Sequence, residues 1–142
     1  MAESLIRPAV AGDAGAVSRL IGQLGYTASP AEVAGRLAAM TAECRLVLVA
    51  ELEGAVIGCL STSVMRVLHR PAPVGRISMM VVDEGLRGRG IGGDLVRAAE
   101  AALARQGCYM VEVTSHVRRT DAHRFYERLG YEKTSVRLAK SL

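Results

Sequence analysis

The middle of the chain carries a glycine- and arginine-rich loop that few folds contain. Residues 87–93 read Arg-Gly-Arg-Gly-Ile-Gly-Gly and follow an apolar run at 79–82. The apolar run predicts a buried strand, and the helical spacing from Ile91 onward predicts a helix to about Gln106. Glycines let backbone approach a ligand closely, and the first turn of a helix offers unpaired N–H groups to an anion. The junction therefore predicts a pyrophosphate site, with the two arginines as charged donors.

Two common nucleotide-binding loops fit this segment less well. No Lys-Ser or Lys-Thr follows the glycines, so the phosphate-binding pattern GxxxxGK[ST] is absent. Residues 88–93 do satisfy the bare string GxGxxG of dinucleotide-binding domains. However, the strand before them lies mid-chain after a predicted hairpin. The next strand also has no acidic residue at its end, because Glu112 stands in its middle. These features disfavour a dinucleotide-binding domain.

Two motifs resemble those of one enzyme family. Arg87-x-x-Gly90-x-Gly92 after an apolar strand is similar to the R/Q-x-x-G-x-G/A motif of the GCN5-related N-acetyltransferases (GNAT). Residues 122–131, Ala-His-Arg-Phe-Tyr-Glu-Arg-Leu-Gly-Tyr, resemble the A-x-x-F-Y-x-x-x-G-F/Y signature of the same family. The stretch 113–126 is most similar to the aminoalkylphosphonate N-acetyltransferase branch. The motifs lie at the expected distance from each other, and the resemblance covers essentially the whole chain.

Turn residues divide the chain into ten short elements without a linker or an internal repeat, which predicts one domain over residues 1–142. Their order, β-α-α-β-β-β-α-β-α-β, is also the GNAT order. It predicts an α/β (α+β) fold whose central mixed, mostly antiparallel sheet is flanked by helices. The predicted strands are 4–10, 46–52, 55–67, 76–83, 109–114 and 131–138, and the predicted helices begin after an Asp13 cap, at Ser29-Pro30, at Ile91 and at a Thr120 cap.

The resemblance implies which residues hold acetyl-CoA, the acetyl donor. The backbone of the glycine loop would bind the pyrophosphate, and the end of the preceding strand would bond the pantetheine arm. A backbone N–H of that strand, assigned to Met80, would stabilise the oxyanion formed at the thioester carbonyl. The implied loop residues are Arg87, Gly88, Arg89, Gly90, Ile91, Gly92 and Gly93, and the implied strand residues are Met80, Val81 and Val82.

Tyr126 matches the family tyrosine that protonates the leaving thiolate. A thiol with a pKa near 8.5 can leave as its thiolate, and a nearby phenol with a pKa near 10 can stabilise that thiolate or give it a proton. From the residues alone Tyr126 is also compatible with a purely structural role. It lies on the apolar face of its predicted helix with Phe125 and Leu129.

The group that takes the proton from the attacking amine is left open by the sequence. Many family members place a carboxylate on the strand before the loop, whereas residues 76–80 here read Arg-Ile-Ser-Met-Met. Glu112, His116, His69 and an ordered water remain candidates for the base, and each side chain also fits an ordinary exposed position.

A basic cluster lies beside the predicted site. Arg119 stands where the family often has an asparagine that contacts the coenzyme, and Arg118, His123 and Arg124 surround it. These side chains are suited to the 3′-phosphate of the coenzyme or to an anionic acceptor, and they equally fit a solvated helix face. Tyr26, between the first two helices, lies in a region that usually lines the acceptor pocket in this family.

Composition argues against several classes of protein. Lys and Arg number 18 and Asp and Glu number 14, and this net charge of +4 comes without the aromatic residues that accompany nucleic-acid binding. Cys44, Cys59 and Cys108 form no CxxC pair, so neither a metal site nor a disulfide framework is expected, and free thiols fit the cytoplasm. The longest apolar run, residues 46–50, is far below the ~18 residues of a membrane span. The first ten residues also lack the pattern of a signal peptide.

The resemblance implies an acetyl-CoA-dependent N-acetyltransferase. The primary amine of a small molecule would attack the thioester directly, through a tetrahedral intermediate and without an acyl-enzyme. The missing strand carboxylate keeps a non-catalytic acyl-CoA-binding or sensing module as one alternative. A nucleotide- or nucleic-acid-binding protein that uses the basic loop is the other. The sequence does not name the acceptor, and it leaves a homodimer open.

Overall fold

A computed structural model describes residues 3–142. They form a five-stranded sheet in the order β1-β2-β3-β4-β5 with four α-helices. The strands are β1 (Leu5–Pro8), β2 (Val47–Leu52), β3 (Ala55–Met65), β4 (Val74–Val82) and β5 (Met110–Val113), and the helices are α1 (Ala14–Gln23), α2 (Pro30–Ala42), α3 (Ile91–Arg105) and α4 (Thr120–Arg128).

The sheet is mixed and mostly antiparallel, which confirms the predicted fold class. The first three strand pairs are antiparallel, and only β4 and β5 run parallel. The pairing of β3 with β4 skips a residue, because Ser61 lies opposite Met79 and Thr62 lies opposite Ile77. Ser78 is therefore the extra residue of a β-bulge in β4.

Helices cover both faces of the sheet. One core cluster joins α3 and α4 to the sheet through residues such as Leu60, Ile77 and Leu95. The other joins α1 and α2 to the opposite face through Val49 and Cys59. Side chains of the strands alternate between the two faces of the sheet and pack into two apolar layers, as expected for a central sheet.

Local signals explain where the first helices begin. Ser29 caps α2 as predicted: its side chain accepts from the Glu32 N–H at 3.1 Å, and the Glu32 carboxylate accepts from the Ser29 N–H at 3.0 Å. Asp13 precedes α1 but makes no capping bond to it. Its carboxylate instead binds the Arg7 guanidinium at 2.9 and 3.0 Å and the Val10 N–H at 2.8 Å. The predicted Thr120 cap is also wrong, because Thr120 is the first residue of α4 and follows Arg119.

The strand predicted over 131–138 does not form. Gly130 leaves α4 with a φ of +95°, and Tyr131 turns back onto the helix, where its N–H bonds the Tyr126 carbonyl at 3.1 Å. Residues 132–142 are exposed, Val136 and Leu138 among them. Alternating apolar residues stabilise a strand only when a neighbouring strand and a covering layer are present, and here this segment has neither.

Candidate functional site

The two parallel strands separate in the middle of the sheet. They pair only from Val74 with Met110 to Ile77 with Val113. β5 ends there, whereas β4 continues to Val82. Residues 78–82 of β4 therefore have β3 on one side and no strand of residues 3–142 on the other. This gap exposes backbone N–H and C=O groups that can bind an extended ligand.

The register shows which backbone groups of β4 face the gap. The Asp83 N–H donates to the Ile57 carbonyl of β3 at 2.8 Å. Because hydrogen-bonded and non-hydrogen-bonded pairs alternate along antiparallel strands, Val81 also bonds to β3. Met80 and Val82 then direct their N–H and C=O groups away from β3. This orientation suits the roles predicted for Met80 and Val82, whereas the backbone of Val81 is used by β3 and does not face the gap as predicted.

The glycine loop links β4 to α3 in a conformation that requires glycine. Gly88 and Gly90 have φ angles of +84° and +81°, a region that side chains disfavour. Gly90 is the N-cap of α3, and no side chain caps the helix. The first N–H groups of a 15-residue helix are thus left for a ligand, and the helix dipole favours an anion there.

The two loop arginines differ in their surroundings. Arg87 folds back onto the strand, where its Nε donates to the Val82 carbonyl at 3.3 Å. Arg89 is exposed and makes no ion pair or hydrogen bond with residues 3–142. Arg87 therefore helps to shape the loop, while Arg89 is available to an anion at the helix N-terminus.

Gly92 brings the loop, β4 and α4 together. A Cβ at this position would lie 3.2 Å from the Phe125 Cζ and 3.6 Å from the Met80 Cε. An alanine here would force Phe125 to shift, so this second glycine of the motif favours close packing, and the same contact places Phe125 of α4 beside Met80 of β4.

Tyr126 lies in the core cluster between α4 and the sheet, with 8% of its surface exposed. Its ring makes edge contacts with Phe125 and Tyr131, at centroid distances of 5.0 and 5.6 Å. Its hydroxyl makes no hydrogen bond within the described chain. Since no fully buried polar side-chain atom there lacks a partner, the hydroxyl reaches solvent. Burial raises the pKa of Tyr126 to about 12, while the Arg119 charge acts to lower it.

Glu112, one of the predicted bases, is engaged by an arginine. Its Oε1 accepts from Arg76 Nε at 2.9 Å and from Arg76 Nη2 at 2.6 Å. His116 is exposed in the loop before α4, where its Nδ1 accepts from the Arg118 N–H at 3.2 Å. His69 lies in the β3–β4 loop, before β4 begins at Val74, and the β3 partners of Val74 and Met80 are five residues apart, about 17 Å. The structure therefore brings Glu112 near the gap and leaves His69 far from it.

Arg119 connects α4 to the opposite helical layer. Its Nη2 donates to the Leu24 carbonyl at the end of α1, at 3.4 Å. Tyr26, two residues further on, is 70% exposed. The end of α1 and the N-terminus of α4 are thus in contact. Arg118 and Arg124 are exposed and make no ion pair with the rest of the described chain.

Sequence reasoning missed the polar residues of β3 and β4 beside the gap. The hydroxyls of Ser61 and Ser78 share a hydrogen bond of 2.8 Å, and Arg76 pairs with Glu112 across the two parallel strands. Ser78 is exposed although it lies inside a strand that is central in the sheet. A polar Arg-x-Ser within an otherwise apolar strand was the available signal for these residues.

Other features bear on the class of protein. Between residues 3 and 142, no helix is long and apolar enough to cross a membrane. The same residues contain no group of three or more histidine, cysteine or acidic side chains that could hold a metal ion. Cys44, Cys59 and Cys108 are free thiols.

Comparison with known proteins assigns the family. The model of the acetyltransferase (GNAT) family matches residues 21–131, which include the glycine loop, the open edge of β4 and all of α4. The chain belongs to the GNAT acetyltransferase family. The resemblance predicted from the two motifs is therefore confirmed.

Named GNAT relatives are N-acetyltransferases. An aminoalkylphosphonate N-acetyltransferase of Salmonella typhimurium is 36% identical over 89 residues, which are 63% of this chain and 58% of that protein. A glucosamine-6-phosphate N-acetyltransferase structure from Arabidopsis thaliana has a TM-score of 0.86 at 26% identity, with 98% of each chain covered. An aminoglycoside N-acetyltransferase in complex with CoA has a TM-score of 0.88 at 18% identity, with 100% of this chain and 96% of that one covered, and shows the fold alone.

Proposed function

We propose that this GNAT protein is an acetyl-CoA-dependent N-acetyltransferase whose acceptor is the primary amine of a small molecule. The observation that carries the proposal is the gap between β4 and β5, closed at one end by the glycine loop and flanked by Tyr126. The names of its relatives support amine acetylation, although this chain spans only part of the length of the curated ones. Its three free thiols fit a cytoplasmic enzyme.

The residues present fit acetyl-CoA as donor substrate. Gly90 and the first turn of α3 offer unpaired N–H groups to the pyrophosphate, and Arg89 adds a free positive charge. Met80 offers its backbone groups and Val82 its N–H to the pantetheine amides, while the Val82 carbonyl accepts from Arg87. Any other residue at Gly88 or Gly90 would strain the backbone of the loop, because both positions have positive φ angles.

The transfer follows from these positions. The nitrogen of the amine attacks the thioester carbonyl, and the Met80 N–H stabilises the oxyanion of the tetrahedral intermediate. The carbon–sulfur bond then breaks, and the Tyr126 hydroxyl stabilises the leaving thiolate by a hydrogen bond or gives it its proton. Burial raises the pKa of Tyr126 to about 12, so the hydroxyl is still protonated when the thiolate forms. The proton lost by the amine passes to Glu112, His116 or water, and Tyr126 is reprotonated from solvent.

An assay of CoA release tests the proposal. Purified protein, acetyl-CoA and a panel of small primary amines are mixed, and free thiol is measured over time. At least one amine is expected to release CoA well above the hydrolysis background and to yield its N-acetyl product by mass spectrometry. Binding of acetyl-CoA without turnover of any amine would favour the non-catalytic module instead.

A further inference from the structure

A polar patch opens beside the gap on the face of the sheet that α1 and α2 cover. Ile77 of β4 and Val113 of β5 pack toward α3 and α4, so their alternating neighbours Arg76 and Glu112 project from the other face. The α1–α2 layer packs on Val81 but stops before the exposed Ser78. We name Arg76, Glu112, Ser78 and Ser61 the acceptor patch, because an amine can approach the gap from this side.

The Arg76–Glu112 pair leaves one edge of the Arg76 guanidinium without a partner in the described residues. Both hydrogen bonds go to one carboxylate oxygen, and they use only the Nε and Nη2 atoms. Nη1 makes no hydrogen bond within the described residues, so the second edge of the guanidinium is open. The Arg76 and Glu112 side chains are 36% and 34% exposed, so solvent reaches the pair. An arginine that a glutamate orients in this way is prepared to bind a planar or tetrahedral oxyanion with two parallel bonds.

We propose that the acceptor is an amine that also carries an oxyanion, and that Arg76 of the acceptor patch binds this oxyanion. The inference rests on the proposed function. Arg76 lies four residues before Met80, and because Ser78 is a bulge their partners on β3 are only three residues apart, about 10 Å along the strand. A short chain between the two ends of the acceptor would then place the amine at the gap while its oxyanion sits on Arg76. Glu112 is a positioning residue in this arrangement, since it holds the guanidinium through one edge.

Matched pairs of amines test the inference. 3-Aminopropanoate is compared with 3-aminopropanamide, and 2-aminoethylphosphonate with its neutral diethyl ester, so that the carboxylate and phosphonate arms distinguish the kind of oxyanion. The wild type is expected to prefer the anionic member of at least one pair by about 10- to 100-fold in kcat/KM. Arg76→Gln should remove this preference by raising the KM of the acceptor, with the KM of acetyl-CoA unchanged.

Three further variants keep the test specific. Arg76→Lys keeps the charge without the second edge and should retain only part of the preference. Glu112→Gln loses the orienting charge and should weaken it. Arg105→Gln removes an exposed arginine at the end of α3, which covers the opposite face of the sheet, and it should leave the preference intact. Circular dichroism and thermal melts establish that each variant is folded.

The outcomes separate this inference from the proposed function. Acetylation of neutral and anionic amines at equal rates would overturn the role of Arg76 and leave the acetyltransferase function standing. A preference that survives Arg76→Gln would also overturn it. If no amine is acetylated, the proposed function fails, and NMR titration of the Arg76 Nε–H signal still decides the inference. That signal should shift with 3-aminopropanoate or 2-aminoethylphosphonate and not with the neutral partners, and its failure to shift would contradict the proposal.

Discussion

Replacement of Tyr126 by phenylalanine removes one oxygen atom and should lower activity while leaving the stability of the fold almost unchanged. The hydroxyl makes no hydrogen bond within the described chain, so the change breaks no bond between protein groups. The ring contacts with Phe125 and Tyr131 are kept. The free energy of unfolding should therefore change by less than about 1 kcal/mol. For a chain of this length that corresponds to less than about 4 °C in Tm.

The effect on turnover should be much larger. Positioned acids contribute about 100- to 10,000-fold, and a thiolate with a pKa near 8.5 leaves without complete protonation, so we expect the lower end of this range. A kcat about 100-fold lower corresponds to about 2.7 kcal/mol of transition-state stabilisation. Release of CoA measured at saturating acetyl-CoA and amine gives kcat directly. The Kd for acetyl-CoA should stay close to the wild-type value.

Tyr131→Phe is the matched control. It removes a hydroxyl from the same aromatic cluster, but that hydroxyl donates to Glu100 at 2.8 Å. Its loss should cost about 1 to 1.5 kcal/mol of stability and leave kcat unchanged. The reasoning would be refuted if Tyr126→Phe turned over at the wild-type rate, or if the two variants lost activity only in proportion to their loss of stability.

Three other changes have defined outcomes. Gly92→Ala should raise the Kd for acetyl-CoA about 10-fold in calorimetry, because its Cβ would crowd Phe125 at 3.2 Å; an unchanged Kd would contradict the packing role. Ser29→Ala should cost about 1 kcal/mol in urea unfolding through loss of the α2 cap. The Arg7 guanidinium lowers the pKa of Asp13, so its ion pair stabilises the fold above the unfolded pKa near 4 and is lost as pH falls through the native value. Asp13→Asn should therefore lower the Tm at pH 7 and weaken its decline in acid, and identical Tm curves against pH for the variant and the wild type would contradict this.

The sequence predicted the order and the approximate bounds of most elements because their signals are local. The Ser29-Pro30 start and the glycine loop before Ile91 depend on residues that are neighbours in the chain. The strand over 131–138 failed because a strand requires a partner that its own alternation does not provide. The Asp13 cap failed for a related reason, since Arg7 and Val10 compete for the carboxylate.

The candidate site could be predicted where it is formed by backbone of neighbouring residues and less so where side chains meet across strands. The glycine loop and Tyr126 came from motifs. The Arg76–Glu112 pair joins residues 36 positions apart and depends on the register of β4 with β5. The bulge at Ser78 sets which side chains of β4 face α1 and α2, and only the pairing with β3 shows it.

Calorimetric titration with acetyl-CoA, with ATP as the control ligand, tests the central claim most directly. The gap beside Met80 and the glycine loop together predict selective binding of acetyl-CoA with a Kd in the micromolar range. ATP shares the anionic groups but lacks the pantetheine arm that the open edge of β4 would bond, so it should bind far more weakly. No binding of acetyl-CoA, or equal binding of ATP, would contradict the account and favour a nucleotide-binding role for the loop.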